Sequence, residues 1–286
     1  MSIRIVTDSA ADLPQEVAAK HGITVVPLYI NADGQSYLDG VELSREAFYT
    51  RLPSFKSFPT TSAPGSEAFR QVYEKLAAEG ATDILSIHIS ASLSATFNIA
   101  QAAAQTTKAA AVIPFDGGQL PLGTGLLALA ASKAAAAGQT MDEVVALLKD
   151  KTARTYSFAA LDTLEFLRRS GRVSHLAYGL GSLLRIKPLL KMHTGEIGME
   201  RVRTRRRAVE RLIELVSELG PLEELAVVHT NAPQRAEALK QRAQHLFPKD
   251  KVPLLSSVTP VIGAHVGPGA VGLVCIAQKH KQKMER

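Results

Sequence analysis

Short apolar runs rich in β-branched residues alternate with longer segments of helical character along most of the chain. In the first half, the apolar runs lie at 3–7, 23–30, 84–89 and 112–115. The helical segments between them lie at about 13–20, at 44–52, at 66–79 and from about 94 onward. Strands that alternate with helices form a mostly parallel sheet covered by helices on both faces, so the pattern predicts an α/β fold.

The alternation pauses before residue 155 and then starts again. Two Ala-rich segments, 121–137 and 142–153, favour helices because Ala and Leu are strong helix formers, and they close the first half. A strand-like run follows at 155–161. We therefore predict two domains, an N-terminal α/β domain at 1–154 and a second α/β domain at 155–286.

The second half contains a predicted hairpin. Two extended segments, IKPLLKM and EIGMERVR, are separated by the turn signal His193-Thr194-Gly195. Further helices are predicted at 205–218 and 233–246, and further strands at 225–229, 252–258 and 270–277.

Composition and length exclude several classes of protein. Of the 286 residues, 46% are hydrophobic, which is enough for a sizeable core. Cys275 is the single cysteine, so neither an internal disulfide framework nor a multi-cysteine metal cluster is expected. The first residues lack the pattern of a secretory signal, and no apolar stretch reaches the roughly 18 residues of a membrane span. We expect a cytoplasmic protein without a transmembrane segment.

The positive charge of the chain is concentrated in one segment. Between Arg168 and Arg211 there are twelve Lys or Arg residues and three Glu residues, whereas the formal net charge of the whole chain is +6. A nucleic-acid-binding protein that uses the segment 168–211 is therefore one alternative. Tyr178 is its one aromatic residue, which leaves little for base stacking and weakens this alternative.

Three hydroxyl-bearing residues, Thr60, Thr61 and Ser62, lie between Pro59 and Pro64 immediately before a predicted helix. The prolines restrict the backbone, so we expect a stiff turn. The unpaired N–H groups at a helix start favour an anion. A helix cap in an ordinary loop is the alternative interpretation.

A second hydroxyl-rich segment follows the apolar run at 84–89 and includes Ser94. Successive strand ends of a parallel sheet meet at one edge, so this loop and the first one are expected to face a common crevice. Ser94 is not surrounded by a G-x-S-x-G elbow, which favours anion binding over covalent catalysis. A serine acyl hydrolase that uses Ser94 and His265 remains an alternative, as does a small-molecule kinase.

Other candidate residues lie in the second half. His265 is flanked by glycines in a predicted loop and is a candidate donor to an oxyanion. If Val202 faces the core, Arg201 and Arg203 share the opposite face of an extended segment and are candidates for an accessory anion contact. The histidines show no H-E-x-x-H spacing, so no metal is expected.

Seven segments, taken in their order along the chain, resemble the DegV family of fatty-acid-binding proteins. They are VTDSAADLP, YLDGVELS, PTTSAP, SLSATFNIA, LRRSGRVS, LLRIKPLL and VIGAHVGPGAVGL. The resemblance covers nearly the whole chain. It implies two α/β domains with a long-chain fatty acid, such as palmitate, held between them.

The resemblance also implies roles for individual residues. Thr61 and Ser94 would contact the fatty acid carboxylate, with Ser62 and the backbone at Ala95 nearby and His265 as a further donor. Several family members are lipid-presenting subunits of a fatty acid kinase and offer the carboxylate to a separate ATP-binding partner. By similarity we expect a lipid carrier in lipid metabolism without catalytic turnover or cofactor, without nucleic acid as a partner, and with at most transient contact with a membrane surface.

Overall fold

The computed structural model describes residues 2–172 and 186–279. In this part of the chain the strands are β1 (Ile3–Asp8), β2 (Ile23–Val26), β3 (Tyr29–Ala32), β4 (Gln35–Leu38), β5 (Thr60–Ser62), β6 (Asp83–His88), β7 (Ala111–Asp116), β8 (Thr155–Ala160), β9 (Lys187–His193), β10 (Glu196–Val202), β11 (Leu222–His229), β12 (Leu254–Ser257) and β13 (Val271–Ala277). The helices are α1 (Gln15–Lys20), α2 (Arg45–Arg51), α3 (Ser66–Ala78), α4 (Thr96–Thr106), α5 (Pro121–Ala136), α6 (Met141–Thr152), α7 (Glu165–Arg169), α8 (Arg205–Ser217), α9 (Pro233–Arg242) and α10 (Pro260–Val266). Tyr178 and the motif residues at 173–174 and 183–185 lie outside the described residues.

The first sheet has the parallel arrangement that the sequence predicts. Its four strands lie in the order β2-β1-β6-β7, and all three neighbouring pairs are parallel. On one face, Val6 and Ile84 pack against α3 and α4. On the other face, Ile5 and Leu85 pack against α5 and α6. Burial on both faces explains the continuous apolar runs of these strands.

A small antiparallel sheet, in the order β4-β3-β5, is not predicted by the sequence pattern. The apolar run at 23–30, expected as one strand, is two strands, because Pro27 has no N–H group and interrupts the hydrogen-bond ladder. β2 stays in the parallel sheet, whereas β3 pairs with β4 and β5. The prediction of a turn at 59–64 is therefore wrong in part, since Thr61 lies on β5 opposite Ile30.

The second half forms a six-stranded sheet in the order β10-β9-β8-β13-β11-β12. The predicted hairpin is confirmed as β9 and β10, which pair in antiparallel register. Thr194 and Gly195 join them with positive φ angles of 47° and 85°, as a two-residue turn that follows the strand twist requires. Helices α8 and α9 cover one face of the sheet through buried residues such as Leu212 and Leu239.

Helix α5 joins the two large sheets. Its buried residues pack in one cluster with Ile5 and Leu85 of the first sheet and with Val274 and Ile276 of the second. A helix that is apolar on all sides is buried on all sides, which explains its composition. In the described part of the chain, no helix is long and apolar enough to cross a membrane.

Candidate functional site

A cavity of about 300 Å³ lies at the carboxyl end of β6, the edge of a parallel sheet where ligands usually bind. Its volume is at the lower end of the roughly 300–1,000 Å³ typical of ligand pockets. Leu28 and Ile89 of the first half and Leu190 and Ile197 of the second half contribute apolar wall. The polar side chains of the wall are Thr61, Ser62, Ser94, Arg172 and His265.

A smaller apolar cavity of about 70 Å³ adjoins this one on its inner side. The two cavities share wall residues from several elements, including Leu120, Leu190 and Ile262. The inner cavity extends to Phe158 and Val274 on the large sheet. The two cavities therefore lie side by side, with apolar side chains between them.

Strand β5 positions Thr61 at the cavity. Backbone pairing with β3 fixes the strand, and its three residues alternate in exposure, with Thr61 half-buried between exposed Thr60 and Ser62. The Thr61 hydroxyl lies 2.8 Å from His265 Nε2. The Ser62 hydroxyl accepts a hydrogen bond of 3.2 Å from the Asn31 side-chain amide. Both hydroxyls therefore sit on a short strand that is held from one side.

The loop between β6 and α4 positions Ser94. Its hydroxyl accepts a hydrogen bond of 3.3 Å from the Thr96 backbone N–H and lies 2.8 Å from Thr96 Oγ1. Ala95 is exposed beside it, with φ −72° and ψ −5°, a backbone conformation that alanine adopts without strain. Ser94 and Ala95 thus stand at the start of α4, where backbone N–H groups lack helical partners.

His265 lies in the short helix α10, so the prediction that it sits in a loop is wrong. The helix forms because Pro260 suits the first helical turn. Gly263 allows α10 to approach α2 closely: a Cβ at this position would lie 2.4 Å from the Tyr49 hydroxyl oxygen. This packing places His265 against β5.

The His265 imidazole is neutral near pH 7. Burial, and secondarily the positive charge of Arg172, lower the pKa of His265 to about 4. Nε2 faces Thr61, while Nδ1 is buried without a hydrogen-bond partner. A neutral imidazole has one N–H group, so it can donate through one nitrogen only. The tautomer therefore decides whether Nε2 donates the hydrogen bond to the Thr61 hydroxyl or accepts it from that hydroxyl.

Arg172 lines the cavity and was not among the candidate residues predicted from the sequence. Its guanidinium donates a hydrogen bond of 2.8 Å to the Ser170 carbonyl oxygen. The signal that could have identified it is the LRRSGR segment, in which a glycine ends the short helix α7. Arg172 adds a positive charge to a wall otherwise made of neutral groups.

Arg201 and Arg203 are exposed and are not among the residues that line the cavity. Val202 between them is buried, which is the condition under which the two arginines share the opposite face. Most other arginines of the basic segment contact carboxylates of the same chain: Arg205 contacts Asp162, Arg206 contacts Glu210, and Arg207 and Arg211 contact Glu214. Internal pairing leaves less of this charge available for a nucleic acid, which disfavours that alternative.

The arrangement is suited to holding a carboxylate. Two hydroxyls, an imidazole and a guanidinium can donate to oxygen atoms at one end of an apolar cavity. A serine nucleophile would need a base within hydrogen-bond reach, and that base would need an orienting partner. Here His265 bonds to Thr61, Ser94 bonds to Thr96, and Nδ1 of His265 has no partner. Within residues 2–172 and 186–279, no group of three His, Cys, Asp or Glu residues could hold a metal ion.

Comparison with known proteins gives consistent matches along the chain. A family model described as "Uncharacterised protein, DegV family" matches residues 2–278. A DegV domain-containing protein of Streptomyces coelicolor is 39% identical over 280 residues, which cover 95% of this chain and 97% of that protein.

Solved structures match the whole fold. A fatty-acid-binding DegV family protein from Thermus thermophilus superposes with a TM-score of 0.87 at 32% identity, over 97% of this chain and all (100%) of that one. DegV of Bacillus subtilis, a fatty acid binding protein, gives a TM-score of 0.88 at 31% identity over 97% of this chain and 100% of that one. The predicted α/β architecture is thus confirmed.

Proposed function

The chain belongs to the DegV family, and on that premise we propose that it binds a long-chain fatty acid such as palmitate in the cavity lined by Thr61, Ser94 and His265. The carboxylate is held by Thr61, Ser62, Ser94, the backbone at Ala95 and His265. Arg172 contributes positive charge next to them. The acyl chain extends past Leu190 and Ile262 into the inner cavity.

The observation that supports this proposal best is the convergence of polar groups at one end of an apolar cavity. Thr61 and His265 are within hydrogen-bonding distance, and Ser94 lines the same wall. A buried carboxylate without donors would be strongly unfavourable. The hydrogen-bond donors at one end of the cavity match the carboxylate of a fatty acid, and the apolar wall of the rest matches its acyl chain.

The energetics of a lipid ligand are favourable. Burial of about 14 methylene groups at ~0.8 kcal/mol each gives roughly 11 kcal/mol before the costs of immobilisation. Affinity in the submicromolar range, about −8 kcal/mol or better, is within reach of this sum. The apolar side chains of the wall contact the methylene groups. Hydrogen bonds from the polar side chains offset the cost of desolvating the carboxylate.

We further propose that the protein is a carrier that presents the carboxylate to a separate, ATP-dependent fatty acid kinase. Ser62 and Ala95 are exposed, which supports a carboxylate end of the cavity that a partner can reach from solvent. The chain itself then needs no cofactor and performs no turnover. Its partner uses ATP, so we assign the carrier to the cytoplasm.

We divide the chain into domains at residue 155. The strands of the four-stranded sheet come from residues before this point, and the strands of the six-stranded sheet come from residues after it. The cavity takes wall residues from both parts. In this division the fatty acid lies between the two domains.

Palmitate titration of delipidated protein tests the proposal. The double variant Thr61→Ala with Ser94→Ala should bind palmitate roughly a hundredfold more weakly, because two hydrogen bonds to a charged group are lost. Thr60→Ala is the matched control, since Thr60 is exposed on the same strand. Equal affinity of the double variant and the control would contradict the site. Native mass spectrometry of the purified protein should also show a bound acyl chain.

A second measurement tests the carrier role. Acyl phosphate should form only when the palmitate-loaded protein, a fatty acid kinase subunit and ATP are present together. ATP turnover by this chain alone would contradict the assignment of catalysis to a partner.

A further inference from the structure

A separate cavity of about 680 Å³ lies beside the carboxyl end of β1. Residues after β1, the loop that contains Asp39, the start of α2 and the strand β12 form its wall. It shares no lining residue with the fatty acid cavity. Its volume falls within the range typical of small-molecule sites.

Asp39 is the unusual residue of this wall. Its side chain is only 2% exposed, and neither carboxylate oxygen has a hydrogen-bond partner. Burial raises the pKa of the Asp39 carboxyl, and the nearby Ser9 hydroxyl, which favours the charged form, offsets that effect only in part. The backbone is fixed, because the Asp39 N–H donates a hydrogen bond of 2.9 Å to the Leu28 carbonyl oxygen. A buried carboxylate without a partner is unfavourable and calls for an incoming donor.

The charges around Asp39 do not supply that donor. Arg45 is the cation of the cavity wall, and its guanidinium donates to neutral oxygen atoms of Leu13, Ser256 and Ser257. Glu16 and Glu46 add negative charge to the same wall. Negative charge therefore exceeds positive charge in the wall of this cavity, although the formal net charge of the chain is +6.

The wall of the cavity includes two exposed apolar side chains. Val41 is 70% exposed and Val25 is 37% exposed, and both line this cavity. They are two of the three large apolar side chains that are exposed in the described part of the chain. A ligand that covers these valines while reaching Asp39 needs an apolar body attached to a cationic donor.

We propose that this cavity is a second ligand site that binds an organic amine, with the protonated amino group on Asp39 and the apolar body against Val25 and Val41. An ammonium group has three donors, which suits the two carboxylate oxygens of Asp39. A metal ion fits the site less well, since the described residues contain no cluster of three metal-ligating side chains.

The test uses n-hexylammonium as a probe in calorimetric titrations of palmitate-loaded protein at pH 8. Wild-type protein should bind hexylammonium at least tenfold more tightly than the Asp39→Asn variant. Asp250→Asn, which changes an exposed aspartate elsewhere, is the matched control and should bind like wild type. Hexanol, a neutral analogue, should bind weakly and without discrimination between the variants.

Repetition with the Thr61→Ala, Ser94→Ala double variant separates this site from the fatty acid cavity. Hexylammonium affinity should be unchanged there, whether or not palmitate binding is lost. A second variant, Val41→Ser, should weaken hexylammonium binding several-fold but leave methylammonium binding unaltered. Three outcomes would each overturn the proposal. They are equal hexylammonium affinity in wild type and Asp39→Asn, absence of saturable binding to wild type, and displacement of hexylammonium by Mg²⁺.

Discussion

Thr61 Oγ1 and His265 Nε2 lie 2.8 Å apart, although 204 positions separate the two residues in the chain. The contact joins β5 of the small antiparallel sheet to α10, which precedes the last strand. It lines one side of the cavity that we propose for the fatty acid and places a neutral imidazole beside a hydroxyl. The stability of this contact depends on the protonation state of His265.

We predict that His265 makes the protein less stable as the pH falls from 7 to 5. Burial lowers its pKa to about 4 in the folded protein, from an ordinary value of 6.5. The unfolded chain therefore binds more protons in this window, and the free energy of unfolding decreases as the pH is lowered. The expected loss from this residue is on the order of 1–2 kcal/mol.

Urea denaturation of wild type and His265→Gln at pH 5, 6 and 7 measures this effect. The variant should lose less stability than wild type between pH 7 and pH 5, because its side chain does not titrate. Parallel pH profiles of the two proteins would contradict the prediction.

Gly263→Ala should weaken palmitate binding without touching the ligand. A Cβ at this position would lie 2.4 Å from the Tyr49 hydroxyl oxygen and 3.1 Å from the Phe48 ring, so α10 must shift and take His265 with it. We expect a loss of roughly 1–3 kcal/mol in unfolding free energy and a several-fold lower palmitate affinity. Gly198→Ala is the control, since nothing lies within 4 Å of the added methyl group. Palmitate affinity equal to that of the control would show that α10 tolerates the change.

Asp8 and His88 form a pair whose side chains are 0% exposed, at the carboxyl ends of the two central strands of the parallel sheet. Asp8 Oδ2 lies 2.7 Å from His88 Nδ1, and His88 Nε2 lies 2.8 Å from the Ser86 hydroxyl. Removal of His88 leaves a carboxylate oxygen buried without a partner, so His88→Ala should cost roughly 3–5 kcal/mol. In a double-mutant cycle with Asp8→Ala, the two losses should sum to more than that of the double variant. Additive losses would show that the pair is not coupled.

Asp39→Asn should stabilise the protein at pH 8 and have little effect at pH 4. Burial raises the pKa of Asp39 to about 7, from an ordinary value of 3.8. The folded protein therefore binds one more proton than the unfolded chain between about pH 4 and pH 7, so the free energy of unfolding falls as the pH rises through this window. Replacement by the neutral amide should gain on the order of 1–3 kcal/mol at pH 8. Calorimetric unfolding at both pH values measures the difference, and a gain of equal size at pH 4 would argue against a titrating carboxyl.

Local patterns were sufficient for most of the secondary structure. The apolar runs at 84–89 and 112–115 are β6 and β7, and the Ala-rich segments are α5 and α6. The turn at Thr194 and Gly195 joins β9 and β10 as predicted. These features follow from side-chain periodicity, helix propensity and turn chemistry, which act over a few neighbouring residues.

Errors occurred where a distant part of the chain determines the conformation. Thr61 lies on a strand because β3 offers its free edge, and β3 is available only because Pro27 separates it from β2. His265 lies in a helix because α10 packs on Tyr49 through Gly263. Neither partner is adjacent in sequence, so a local pattern could not indicate it.

The sequence by itself determined the alternating elements, the location of the basic segment and the hydroxyl, imidazole and glycine residues available for a site. Only the tertiary structure decided that Thr61 contacts His265, that Arg172 lines the same cavity, and that the Asp39 carboxylate is buried without a hydrogen-bond partner. The physical reason is the distance along the chain over which residues influence one another. Backbone conformation responds to neighbouring side chains, whereas a cavity and the pKa values of its groups arise from segments that meet only when the sheets and α5 have packed together.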